Sequence, residues 1–96
     1  MRMIGSSLGR AVDVIELLAD SPRGERLSAI AQRLDLPKSA VHRLLAPLAA
    51  RGWVEQDPAA GHYMLSLRFA ALGRRLFDAT GLHETCQPVL DRLARD

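Results

Sequence analysis

Thiols, histidines, lysines and aromatics are all scarce in this chain of 96 residues. Cys86 is its single cysteine, so it can build neither a disulfide framework nor a thiolate metal site. A reducing setting, the cytoplasm, is therefore expected. A lone thiol of this kind is more often a small buried apolar residue than a nucleophile. His42, His62 and His83 stand about twenty residues apart, with no acidic pair at ligand spacing, so no metal and no cofactor are expected. The longest uncharged apolar run, Leu44 to Ala50, is far below the roughly 20 residues that cross a bilayer. The start, MRMIGSSLGR, leads directly to Asp13 and Glu16 and does not read as a signal peptide. No triad, phosphate loop or pair of catalytic carboxylates is legible, so an enzyme is not expected.

What remains is the composition of one small domain with a single core: 48% hydrophobic and 25% charged. A net charge of +2 does not argue for nucleic acid by itself. The kind of positive charge is more telling, because twelve of the thirteen basic residues are arginine. Arginine suits phosphate and base contacts better than lysine, although a GC-rich genome gives the same bias.

Along the chain, Ser6 and Ser7 can cap a first helix reaching Leu18 or Ala19. Its polar residues Arg10, Asp13 and Glu16 form one narrow stripe. Leu8, Ala11, Val12, Val14, Ile15, Leu17 and Leu18 take most of the remaining circumference, more than the roughly 100° arc that a single core requires. This helix should be buried on a second side, most simply by a partner subunit. SPRGER, 21–26, is a loop, and Leu27 is read as a very short strand. Ser28 is expected to cap a short helix with Ile30, Ala31 and Leu34 inward. Leu36 and Pro37 make a turn, with Pro37 at the first position of a third helix. That helix should run to about Arg51, burying Val41, Leu44, Leu45 and Leu48, and stop at Gly52. Pro47 removes one N–H and crowds the Arg43 carbonyl, so a kinked but continuous helix is expected. WVEQD and HYMLSL read as strands joined by a turn at 58–61, with Tyr63, Leu65 and Leu67 alternating against His62, Met64 and Ser66. Residues 67–80 return to a helical period with Phe69, Leu72, Leu76 and Phe77 as a stripe, and Gly81 breaks it. A last amphipathic segment covers 83–95.

Helix, short strand, helix, tight turn, helix and hairpin is the order of a winged helix-turn-helix. The fold class is mainly α: three helices plus a two- to three-stranded β wing, followed by a linker helix. Ala31 suits the close approach of the second and third helices, Leu34 and Leu36 flank the turn, and Val41 and Leu44 anchor the third helix. Lys38, Ser39, His42 and Arg43 are left outward at its start, with small Ala46 one turn on. The DNA major groove accepts a helix presenting such a face by its N-terminal part, and free N–H groups there attract phosphate. The same four residues on a solvated face would mean nothing alone. Arg74 and Arg75 are read as a solvated patch, and Trp53 as a cover for the core at the base of the wing.

The stretch LSAIAQRLDLPKSAVHRLLAPLAARGWVEQDPAAGHYML resembles the N-terminal DNA-binding domain of the IclR family of bacterial transcriptional regulators. SSLGRAVDVIELLADSPRGERLS is similar to that family's first helix and loop, and LSLRFAALGRRLFDATGL to its linker helix. LHETCQPVLDRLARD is similar to the beginning of its C-terminal effector domain. The resemblance implies three segments: a winged helix-turn-helix over 6–66, a linker helix over 67–81 and the start of an effector domain over 82–96. It implies homodimers on a palindromic operator in double-stranded DNA, with Leu8, Ala11, Val12, Ile15, Leu72 and Leu76 at the dimer interface. Lys38, Ser39, His42 and Arg43 would lie at the major groove, Ser28 would meet a phosphate, and the wing tip, 58–62, with His62, would approach backbone or minor groove. A small-molecule effector would act only through the C-terminal domain.

Three positions depart from the family pattern. Asp35 stands at a turn position that is more often Gly, but Asp tolerates a left-handed backbone. Ala40 replaces a common Thr, and His62 a common Arg, which lowers the charge of the wing. The competing reading is a winged helix used only for dimerisation or protein–protein contact. Such a face should be apolar or acidic, unlike Lys38, Ser39, His42 and Arg43.

Overall fold

The computed structural model describes residues 6–80. The first helix, α1 (Ser7–Ala19), is capped by Ser6, whose Oγ accepts the Gly9 N–H at 3.0 Å. This satisfies one of the free donors at a helix start. Val14, Leu17 and Leu18 are its buried residues. The second helix, α2 (Leu27–Leu34), buries Ile30 and Ala31. It begins one residue before the expected cap, so Ser28 lies inside the first turn. Arg26 holds the cap position with an extended backbone and no side-chain cap bond. The reason is that Leu27 packs against the core, while the Arg26 carbonyl accepts the Ile30 N–H at 3.1 Å.

Asp35 ends α2 in the left-handed region, with φ 56° and ψ 50°, the conformation expected of it. The Leu36 N–H then returns to the Ala31 carbonyl at 2.9 Å. Pro37 precedes the third helix, α3 (Lys38–Ala50), as its cap and not as its first residue. Its backbone is extended at ψ 150°, and its carbonyl accepts the Ala40 and Val41 N–H groups at 3.1 and 3.2 Å. The third helix is continuous through Pro47. It buries Val41 and Leu45, with Leu44 and Leu48 packed on the same core. Gly52, at φ 80°, ends it, since only glycine takes that backbone without cost.

Two strands follow, β1 (Val54–Gln56) and β2 (Tyr63–Leu65), antiparallel with Glu55 opposite Met64. Both are shorter than the sequence pattern suggests. Asp57 closes the loop between them: its N–H donates to the His62 carbonyl at 2.8 Å and its carbonyl accepts the Gly61 N–H at 2.7 Å. The short strand expected at Leu27 lies instead at Glu25, which exchanges both backbone bonds with Tyr63, at 2.9 and 2.8 Å. Gly24 makes this approach practicable, because at its φ of 95° a Cβ would sit 2.9 Å from the Tyr63 carbonyl oxygen.

The alternation expected over 62–67 fails at its end. Ser66 is buried and Leu67 is 86% exposed. The strand stops at Leu65, and the Ser66 hydroxyl turns in to donate to the Gly52 carbonyl at 2.6 Å. The same oxygen accepts the Arg68 N–H at 3.2 Å, opening the fourth helix, α4 (Arg68–Thr80). No residue of α4 is buried. Leu18, Ile30, Leu45, Val14 and Val41 thus form the centre of a core held by three helices and the hairpin.

Candidate nucleic-acid interface

The geometry of α3 follows from its period. At 3.6 residues per turn, Val41, Leu45 and Leu48 share one side, and Ser39, Arg43 and Ala46 stand diametrically opposite. Lys38 and His42 lie side by side along one edge of that outer face. All five outward residues are exposed, and α3 contains no acidic residue. Neither of the two ion pairs found among the described residues, Arg33–Glu25 and Arg74–Asp78, engages Lys38 or Arg43. Their charges are therefore uncompensated within the described part of the domain. The N-terminal turn of α3 adds free N–H groups beside them, and Pro37 leaves that end open because it has no side-chain donor or acceptor to cap it.

Arg43 has a second neighbourhood. A shallow groove of about 530 Å³ separates the start of α1 from α3, walled by Leu8, Arg10, Ala40, Arg43 and Pro47 among others. Ser28 is exposed in the first turn of α2, and its hydroxyl makes no cap bond there. His62 is half-buried at the root of the wing, next to the Gly24 approach. The tip itself consists of exposed Pro58, Ala59 and Ala60. Asp57 Oδ1 accepts the N–H groups of Ala59 and Ala60 at 2.9 and 3.3 Å, so the tip is a folded turn without a cation.

The residues expected at a subunit interface split in two. Leu8, Val12, Leu72 and Leu76 are exposed, with Leu8 at 77% and Leu76 at 65%. Ala11 and Ile15 are half-buried. Exposed leucines on two separate helices leave an apolar surface that this domain does not cover by itself.

Sequence reasoning missed the part played by the loop after α1. Glu25 Oε2 accepts the Ser21 hydroxyl at 2.8 Å and the Arg33 guanidinium at 3.2 Å, while its backbone pairs with Tyr63. This residue ties the loop, α2 and the hairpin together. The only signal available in advance was Gly24 within SPRGER, which reads as loop punctuation. The segment expected over 83–95, with His83 and Cys86, lies outside the described residues. Among the described residues, no group of three or more His, Cys, Asp or Glu could hold a metal ion. None of the described helices is long and apolar enough to cross a membrane.

Residues 7–58, which contain the three core helices and the first strand, match the model of the IclR helix-turn-helix domain. The chain belongs to the IclR family. Among curated relatives, the glycerol operon regulatory protein of Streptomyces griseus is 42% identical over 89 residues, which is 93% of this chain and 35% of that protein. The DNA-binding transcriptional repressor YiaJ of Escherichia coli K12 is 37% identical over 91% of this chain and 31% of its own length. The crystal structure of an IclR transcriptional regulator from Alicyclobacillus acidocaldarius superposes with a TM-score of 0.71 at 32% identity, covering 76% of this chain and 30% of that one. The chain therefore spans about a third of the length of the curated relatives it matches. Those relatives are named as transcriptional regulators and not as enzymes, and the fold is their mainly helical winged domain with a two-stranded sheet.

Proposed function

We propose that this domain reads a palindromic operator in double-stranded DNA as a homodimer, with α3 in the major groove of each half-site. The observation that carries the reading is the outer face of α3, where Lys38, Ser39, His42 and Arg43 are exposed on a helix with no acidic residue. Arg43 is assigned to base edges, where a guanidinium can meet guanine O6 and N7. Lys38, Ser39 and His42 are assigned to phosphate or base edges. Ser28, exposed in the first turn of α2, is assigned to a phosphate. The wing tip and His62 approach the backbone or minor groove. We place a bend of α3 between Arg43 and Pro47, which sets the angle at which Arg43 meets the groove floor.

Dimerisation is assigned to Leu8, Ala11, Val12 and Ile15 of α1 together with Leu72 and Leu76 of α4, the linker helix. A small-molecule effector would act through a C-terminal domain beginning near residue 82, in a cytoplasmic bacterial protein. Selection from random duplex oligonucleotides tests the reading. A palindromic sequence should be recovered, and with roughly six to ten phosphate contacts per dimer the log–log salt slope should be about −5 to −9. Arg43→Ala should cost about 1–3 kcal/mol and relax the preference for one base in each half-site. Recovery of no duplex, or binding indifferent to salt, refutes the assignment.

A further inference from the structure

The end of α3 and the start of α4 are joined by a few side-chain and backbone contacts at one corner. Arg68 Nε donates to the Arg51 carbonyl at 3.3 Å, and its guanidinium carbon lies 5.1 Å from the centre of the Trp53 ring. Trp53 also meets Phe69, with ring centres 4.9 Å apart and planes inclined at 59°. Ser66 closes the same corner through the Gly52 carbonyl and the Arg68 N–H, at 2.6 and 3.2 Å. The Trp53 N–H in turn donates to the Leu48 carbonyl at 2.9 Å, inside the last turn of α3. Beyond this corner no residue of α4 is buried. The direction of α4 relative to α3 is therefore set at Arg51–Trp53 and Ser66–Phe69.

We infer that Arg68 is a positioning residue for operator spacing: it locks α4 to the end of α3 and so fixes how far apart the two α3 helices of a dimer stand. The inference rests on the proposed dimer through α1 and α4. In such a dimer α1 and α4 belong to the interface and α3 to the DNA, so two paths relate one reading helix to the other: the packing of α1 on α3 in the core, and the joint between α3 and α4, which Arg68 closes. A dimer held rigidly binds half-sites separated by one helical turn, about 10–10.5 base pairs, and each inserted pair rotates the second half-site by roughly 35°. A stiff joint penalises such insertions. A loose one tolerates them without changing which bases each α3 prefers.

The experiment uses the 96-residue chain and a series of duplexes carrying two copies of the selected half-site at spacings from two pairs shorter to two pairs longer than the best. The unaltered chain should favour its best spacing by roughly tenfold, one decade of affinity. Arg68→Ala should bring the series to within about threefold while leaving the base preference within each half-site unchanged. Arg68→Lys, which keeps a cation over Trp53 but loses the guanidinium Nε–H, should fall between the two. Emission of Trp53, the single tryptophan, should shift in Arg68→Ala and report that the joint has been altered. Arg74→Ala, also on α4, should match the unaltered chain. If Arg68→Ala alters Trp53 emission yet keeps the full spacing preference, the positioning role is wrong. If the variant merely weakens all duplexes in proportion to a loss of folded protein, Arg68 is structural only and the inference is likewise overturned. If the unaltered chain itself shows no spacing preference, the dimeric reading fails, and the inference falls with it for that separate reason.

Discussion

Two helices of equal length, α1 and α4, each of 13 residues, stand in opposite relations to the core. On α1, Val14, Leu17 and Leu18 are buried, while Leu8 and Val12 on another side are exposed. On α4, the apolar stripe of Phe69, Leu72, Leu76 and Phe77 has no buried member. The first helix therefore has two apolar surfaces and uses one within the domain. The fourth has one, on which Leu72 and Leu76 are exposed. A periodic apolar stripe signals that a helix will be covered somewhere, but not by which molecule. An isolated helix of this length is marginal in water, so α4 draws its local stability from the joint at Arg68 and Ser66, and by the proposed reading from a partner chain.

Three variants sharpen or break that contrast, in decreasing order of effect on the folded domain. Leu18→Ala removes a fully buried side chain on the used face of α1 and should cost about 2–5 kcal/mol in urea denaturation. A cost below about 1 kcal/mol would mean that α1 is not anchored as described. Ser66→Ala removes the buried hydroxyl that donates to the Gly52 carbonyl at 2.6 Å and should cost about 0.5–1.5 kcal/mol. Its amide exchange should accelerate first in α4. Uniform acceleration across α1 to α3 would show that the joint supports the whole core and not the fourth helix alone. Leu72→Ser with Leu76→Ser removes exposed side chains, so the stability of the monomer should change by no more than about 0.5 kcal/mol. Sedimentation should nevertheless report loss of dimer. A stable dimer in that variant would return the uncovered face to solvent and erase the distinction between the two helices.

The helical elements were legible because their apolar period is strong and their ends carry chemical marks. Ser6 caps α1, Asp35 takes the left-handed turn and Gly52 ends α3, each through a backbone preference that belongs to the residue itself. The outward set on α3 was legible for the same reason, since burying Val41, Leu45 and Leu48 forces Ser39, Arg43 and Ala46 to the other side. Boundaries slipped where a neighbour competed. Leu27 joined α2 because the core could take its side chain, which moved Ser28 from the cap into the first turn. The pairing of the extended segment with the hairpin went to Glu25, whose amide and carbonyl meet Tyr63 where Gly24 permits close approach.

Local chemistry in the chain was enough to determine the three core helices, the turn at Asp35 and the composition of the face that α3 presents. Those features depend on spacing and on preferences of single residues, which act over one or two turns. Tertiary structure alone decided that Ser66 turns inward while Leu67 turns out, that Glu25 binds the loop to both α2 and the hairpin, and that Trp53 becomes the floor on which Arg68 and Phe69 rest. Each of these depends on groups far apart in the chain meeting at one place, and pairing of that kind leaves no periodic trace in the sequence.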